Sequence, residues 1–105
     1  MIIARFFKDS CNRLLGFQIS GHAMQDEYGK DIACAGVSSA VMLTCNTITE
    51  AFKSNAKVSV EENEIMLKLE DSDENAEKVL LGFLTHLYFL SDEFSGRILV
   101  KVIDK

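Results

Sequence analysis

The sequence predicts an α+β fold: a two-layer ββαββαβ domain with a mainly antiparallel sheet and two helices. Three observations carry this. Five short stretches have strand character, either rich in large apolar residues or alternating apolar with polar. Two longer stretches repeat their apolar residues at helical spacing. The segments between them are polar or carry glycine, as turns do.

Residues 2–8 and 14–20 are rich in Ile, Phe and Leu. Phe17 and Ile19 alternate with Gly16, Gln18 and Ser20. Asp9 to Arg13 has the composition of a turn, so the first two strands form a hairpin. From Ala33 to about Ser54 the period becomes helical. Val37, Val41, Cys45, Ile48 and Phe52 fall at spacings of four, four, three and four, which makes one apolar stripe. Asp31 is placed to cap the start of this helix and Asn55 suits its stop. Residues 57–60 and 64–70 form a second hairpin around Glu61, Glu62 and Asn63, with Ile65, Leu67 and Leu69 on one face. Ser72 or Asp73 caps a second helix, whose Ala76, Val79, Leu80, Phe83, Leu84 and Leu87 make a wide apolar face. Ser95-Gly96 breaks it, and Ile98, Val100 and Val102 alternate in a last strand.

A chain of 105 residues that is 48% hydrophobic suits one domain, residues 1–105, with a compact core. There is no proline and no glycine-rich or serine-rich tract to mark a linker. The net charge of -5 argues weakly against a nucleic-acid surface, and no direct nucleic-acid partner is expected. No apolar run reads as long enough for a membrane helix, so no membrane association is expected. The N-terminus does not read as a signal peptide, because Arg5 interrupts a short apolar run. Three cysteines cannot all pair within one chain, and the expectation is a cytoplasmic, reduced protein.

The chemistry concentrates between His22 and Cys34. Gly21-His22-Ala23 is followed by a polar loop and then by Gly29-Lys30-Asp31-Ile32-Ala33-Cys34-Ala35-Gly36-Val37-Ser38. Cys34 falls at the third position of the first helix, where free amides and the macrodipole favour an anion. A thiolate is the nucleophilic form of cysteine, and a nearby histidine also favours it. Small neighbours at Ala33, Ala35 and Gly36 predict a half-exposed thiol with room for a peptide backbone. His22 would be the general base, then the acid that protonates the leaving amine. Asp31 reads as a helix cap, as an orienting group for His22, or as both. Ser38, one turn beyond Cys34, could bond Cys34, His22 or substrate, or a helix carbonyl.

Each of these residues has a plainer reading. A cysteine among small residues is commonly a packed hydrophobe, and His22 could be an ordinary hairpin-end residue. Cys11 reads as an exposed turn residue, Cys45 as inert core, and His86 as a partly exposed helix residue. The scattered cysteines lack metal-ligand spacing and the glycines match no nucleotide motif, so no metal or cofactor is expected.

Taken together, Gly21-His22-Ala23, Gly29-x-Asp31-Ile32-x-Cys34-Ala35 and Val37-Ser38 resemble the signature of the ribosomal-processing cysteine protease family, Prp. The resemblance covers nearly the whole chain. It implies a cytoplasmic bacterial endopeptidase that removes the N-terminal extension of large-subunit ribosomal protein twenty-seven. The cut follows a phenylalanine in a short hydrophobic stretch and supports ribosome assembly. By the same resemblance Cys34 is the nucleophile and His22 its base, with Asp31 and Ser38 in support. It further implies a homodimer and a mobile loop, residues 23–30, that closes over substrate. Gly21, Tyr28 and Gly29 are the residues of that gate. Two other classes remain open from the residues alone: a non-enzymatic, ribosome-associated binding module, and a thiol hydrolase or transferase acting on a small acyl group.

Overall fold

The computed structural model describes residues 1–21 and 32–105. Its elements run β1 (Ile2–Lys8), β2 (Leu14–Ser20), α1 (Ile32–Asn46), β3 (Ala56–Glu61), β4 (Glu64–Leu69), α2 (Glu74–Glu93) and β5 (Ile98–Asp104), with a π-helical turn, Thr47–Ala51, after α1. The predicted ββαββαβ order is the observed one. The strands form one sheet in the order β3-β4-β2-β1-β5. Three pairings are antiparallel, and β1 with β5 is parallel.

The two hairpins form for local reasons. Between β1 and β2, Asp9 Oδ1 accepts from the amides of Cys11 at 2.9 Å and Arg13 at 3.0 Å. Asn12 there takes φ 63°, a left-handed conformation that asparagine tolerates. Asn63 does the same between β3 and β4, at φ 68°.

One face of the sheet is the core face. The register brings Ile2 beside Ile98, Ala4 beside Ile19, and Phe6 beside Phe17, with Leu67 next in line. Phe83 of α2 completes this layer. Its ring centroid lies 5.4 Å from that of Phe6 and 4.9 Å from that of Phe17. Tilted aromatic contacts of this kind add about 0.5–1.5 kcal/mol each beyond the area they bury. Ala33, Cys34, Val37, Val41, Cys45 and Ile48 join the same core from α1 and the π turn.

The first helix departs from expectation at its end. The ladder loosens after Asn46, and the Phe52 amide donates to the Thr47 carbonyl, five residues back, at 3.0 Å. The wider turn shifts later positions round the axis. Phe52 therefore leaves the stripe and is 47% exposed. The stop is Lys53 rather than Asn55: at φ 53° it turns the chain so that the Ser54 amide reaches back to the Ile48 carbonyl at 2.9 Å. The expectation about apolar runs is also corrected. Ile32–Ala51 is long and apolar enough, by length and composition, to cross a membrane, with mean hydropathy 1.4. Its alanines, cysteines and valines raise hydropathy without forming a continuous Leu/Ile block. In this fold its apolar stripe packs into the core.

Of the two expected caps of the second helix, Ser72 and Asp73, the structure selects Asp73. Its carboxylate accepts from the Ala76 amide at 3.1 Å, while the Asp73 amide donates to Glu77 Oε2 at 3.1 Å. The buried Ser54 hydroxyl has no partner at strict hydrogen-bond geometry. It nevertheless lies close enough to Asp73 to be the largest influence holding that carboxyl below its ordinary value, ahead of the Ala76 amide.

Two glycines fix the backbone of β2. At Gly16 a β-carbon would collide with the Leu67 carbonyl oxygen, so β4 closes against the strand only because that position carries none. Gly21 ends the strand at φ 72°, and a β-carbon there would meet the Met1 carbonyl oxygen.

Gly21→Ala should lose about 1–3 kcal/mol of stability, from left-handed strain alone. Gly82→Ala, on α2 where an added β-carbon meets nothing within 4 Å, should gain up to about 1 kcal/mol from helix propensity. Denaturant unfolding measures both, and equal stability of Gly21→Ala and the parent chain would refute the constraint. The lowered carboxyl of Asp73 stabilises the fold above its ordinary value of 3.8, and that contribution is lost as pH falls through the lower folded value. Asp73→Asn should keep the cap and flatten the acid limb of a melting-temperature profile, whereas Asp73→Ala should lower the melting temperature throughout. An acid limb unchanged in Asp73→Asn would exclude this carboxyl as its source.

Candidate active site

Cys34 is the third residue of α1, as expected. The helix starts at Ile32, so the amides of its first turn have no carbonyl four residues back within the helix. They present partial positive charge where the thiol sits, and a thiolate there is stabilised relative to one in mid-helix. Ser38 lies one turn further along the same flank and is half-buried.

The expected half-exposure of Cys34 is not found: the residue is 4% exposed. Ala35 is exposed and Ala33 is buried, so small neighbours do not by themselves open the site. The reason is orientation. Cys34 lies on the same side of α1 as Val37 and Val41, which face the core. A carbonyl carbon reaches its sulfur only when surrounding groups give way.

Gly21 delivers the chain out of β2 immediately before His22. His22, Tyr28, Gly29 and Asp31 lie outside the described residues, as does the distance from His22 to Cys34. The shape of a groove beside Cys34, which would separate a peptide from a small acyl group, is likewise not defined by the described residues. Among the sequence-predicted site residues, the structure brings together Cys34 and Ser38 on one helix flank and sets Gly21 at the end of β2.

The other titratable candidates sort clearly. Cys45 is buried, and desolvation pushes its thiol up to about 11, so it stays neutral and unreactive near neutrality. Cys11 is exposed in the β1–β2 turn. His86 is exposed on α2 and borders a groove of about 520 Å³ between the helices. Gly36, Ser39, Ala40 and Leu43 form its α1 wall. At 3.6 residues per turn, Leu43 lies about half a turn round the helix from Cys34. His86 therefore belongs to the opposite flank from the thiol. Among the described residues, no group of His, Cys, Asp and Glu is arranged to hold a metal ion.

The sequence reading missed the π turn and the contact of Gly21 with Met1. For the second a signal existed: a glycine closing a strand next to a reactive residue is where a left-handed backbone is expected. For the π turn, the threonines are visible only in retrospect. Thr47 and Thr49 hydroxyls donate back to the Leu43 and Cys45 carbonyls at 2.7 and 2.9 Å, competing with the regular ladder.

Comparison with known proteins fits this arrangement. The family model described as cysteine protease Prp matches residues 1–98. No curated protein matches. Among solved structures, the chain is similar to the essential ribosomal processing protease Prp from S. aureus in complex with a covalently linked product peptide. The TM-score is 0.89 and the identity 22%, covering 98% of this chain and 100% of that one. The same S. aureus protease in complex with a substrate peptide matches with a TM-score of 0.84 and 20% identity, covering 100% of both chains. SMU.848 from Streptococcus mutans matches with a TM-score of 0.85 and 24% identity, covering 100% of this chain and 96% of that one. These likenesses establish the fold. With the family model spanning nearly the whole chain and a cysteine in the first turn of α1, the chain belongs to the Prp family of cysteine proteases.

Proposed function

We propose that this protease removes the N-terminal extension of large-subunit ribosomal protein twenty-seven, cutting after a phenylalanine and so supporting ribosome assembly. The single observation that carries the reading is the position of Cys34, in the anion-favouring first turn of α1 within a chain matched over residues 1–98 by the Prp family. The processing role is supported by the S. aureus relative, an essential ribosomal processing protease whose structures hold a substrate peptide and a covalently linked product peptide. The choice of ribosomal protein and of phenylalanine rests on the family resemblance.

In this reading His22 takes the thiol proton and the Cys34 thiolate attacks the scissile carbonyl carbon. A C–S bond forms and the carbonyl π electrons move to oxygen. Collapse of the tetrahedral intermediate breaks the C–N bond, and the His22 imidazolium protonates the departing amine. Water then attacks the thioester with His22 as base, releasing the carboxylate product and the free thiol. Asp31 caps α1 and orients His22, and Ser38 supports the thiol flank. Residues 23–30, with Tyr28 and Gly29, gate access from the end of β2 at Gly21. The working form is a cytoplasmic homodimer. The near-complete burial of Cys34 suits a gated site, whose openings admit substrate and small electrophiles alike.

Cys34→Ala and Cys34→Ser should abolish cleavage of the ribosomal precursor, read as intact mass after incubation. Both should stay folded, losing no more than about 1–2 kcal/mol. Substantial cleavage by purified Cys34→Ala would eliminate this nucleophile. Thiol reactivity gives an independent check. An ordinary thiol, with a pKa of about 8.5, is almost wholly protonated at mildly acidic pH. An iodoacetamide-type reagent at about pH 6 should therefore label Cys34 before Cys11 and leave Cys45 unmodified. A phenylalanine-ended peptide electrophile should speed the reaction at Cys34 alone, and His22→Ala should remove the preference. Faster labelling of Cys11, with no advantage from the peptide, would make Cys34 a structural cysteine.

A further inference from the structure

The strand register maps the side chains on the sheet face turned away from the helices. One row across the strands reads Lys57, Lys68, Gly16, Phe7, Ile103. The next reads Ser59, Met66, Gln18, Arg5, Lys101. Two like-charged pairs thus stand directly opposite one another, Lys57 with Lys68 and Arg5 with Lys101. Like charges in that relation destabilise a sheet.

Compensation within the protein is slight. Lys57 pairs with Glu70 at 3.7 Å, in an exposed position where such pairs are weak. Arg5 donates a long bond to Ser20 at 3.4 Å. Among the described residues, no ion pair involves Lys68 or Lys101, and both are exposed. Lys105 adds a fifth positive charge, its Nζ 4.6 Å from the centroid of the Phe7 ring. The next row on the same face carries Glu61 and Glu64, opposite one another beside the β3–β4 turn, so an acidic pair borders the band on the Ser59–Met66 side. The net charge of -5 averages over an uneven distribution: the open face holds a basic band of five cations, bordered by Glu61, Glu64 and Glu70.

Between the two like-charged pairs lies an open groove of about 560 Å³. Phe7, Gln18 and Met66 line it, Gly16 leaves its floor clear, and Lys68 and Lys105 stand at its edge. The sequence of groups across the face is therefore cationic, then flat and apolar with an amide, then cationic. The Met66 thioether offers apolar surface to a base, the Phe7 ring carries the Lys105 ammonium over it, and the Gln18 amide can hydrogen-bond a base edge. The flanking pairs meet phosphates.

We propose that this open sheet face docks single-stranded RNA, with phosphates on Lys57 and Lys68 at one side and on Arg5 and Lys101 at the other. An acidic peptide fits less well, because peptides that add to sheets pair with an edge rather than lie over a face. The choice of RNA over DNA rests on the proposed ribosomal substrate; the basic band itself does not.

The test is fluorescence anisotropy of a labelled uridine oligonucleotide titrated with the full chain across a salt series. The wild type should bind at low salt, with log K falling by about 0.7 per contacted phosphate for each decade of salt. The double variant Lys68→Glu, Lys101→Glu should weaken binding by at least about tenfold and flatten the slope. Both changes relieve like-charge contacts, so the fold should survive, as thermal melting would verify. Peptide cleavage by the same variant should be unchanged, which separates this inference from the assignment of Cys34. Absence of binding by the wild type at low salt, equal binding by the double variant, or tighter binding of a deoxythymidine oligonucleotide would each overturn the proposal. So would displacement of RNA by an acidic peptide at lower concentration than by unlabelled RNA. A change of mass on light scattering in the double variant, with no RNA binding by the wild type, would mark the face as a contact between copies and refute it as well.

Discussion

The contact of Phe83 with Phe6 and Phe17 is the constraint on which the layered structure depends. The two strand residues face each other at the centre of the sheet, and the helix residue sits over both. All three are buried. One ring of α2 thus fixes the height and rotation of that helix above the middle strands, and α1 must fill what remains of the same layer. It does so with small and medium side chains, Ala33, Val37 and Val41 among them. Because α1 starts at Ile32 and packs by this stripe, the position of Cys34 follows from core packing before any chemistry is considered.

The two flanks of α1 have different characters. On one, Cys34 and Ser38 stand near the helix start. On the other, Gly36, Ser39 and Ala40 face α2 across an open groove. A cysteine placed on the core-facing stripe gains a fixed position and loses exposure. The 4% exposure of Cys34 is the outcome of that compromise. It turns access into a matter of conformational change, on top of the electrostatic favour that the helix terminus gives the thiolate.

Much of this was legible in the sequence because strand and helix periods impose themselves locally. The strands 2–8 and 14–20 are read to the residue because Ile, Phe and Leu run up to polar turn residues on each side. Asp73 was readable as a cap because its carboxylate serves amides only a turn away. What escaped depends on non-local or competing interactions. Phe52 fits an α-helical stripe by arithmetic, yet a π turn beginning at Thr47 breaks the count. The helix stops at Lys53 with no glycine to announce it. The burial of Cys34 could not be read from the size of its neighbours in sequence, since it follows from which side of α1 turns to the core. The charge pattern of the open sheet face was invisible for the same reason. Arg5 and Lys101 become neighbours only once the register is known, and a net charge conceals how charge is distributed.

The parallel pairing of β1 with β5 joins the first strand of the chain to the last. During synthesis β1 leaves the ribosome before β5, and the side of β1 away from β2 has no partner until β5 has followed. The sheet can therefore close only late, after nearly the whole chain is available, and closing so long a loop is the entropically demanding step of its assembly. A nascent or C-terminally truncated chain would expose the backbone of β1 as an unpaired edge, open to pairing with other strands. A chain without β5 also has an incomplete sheet against which α1 can pack, so the surroundings of Cys34 settle only once that last pairing has formed.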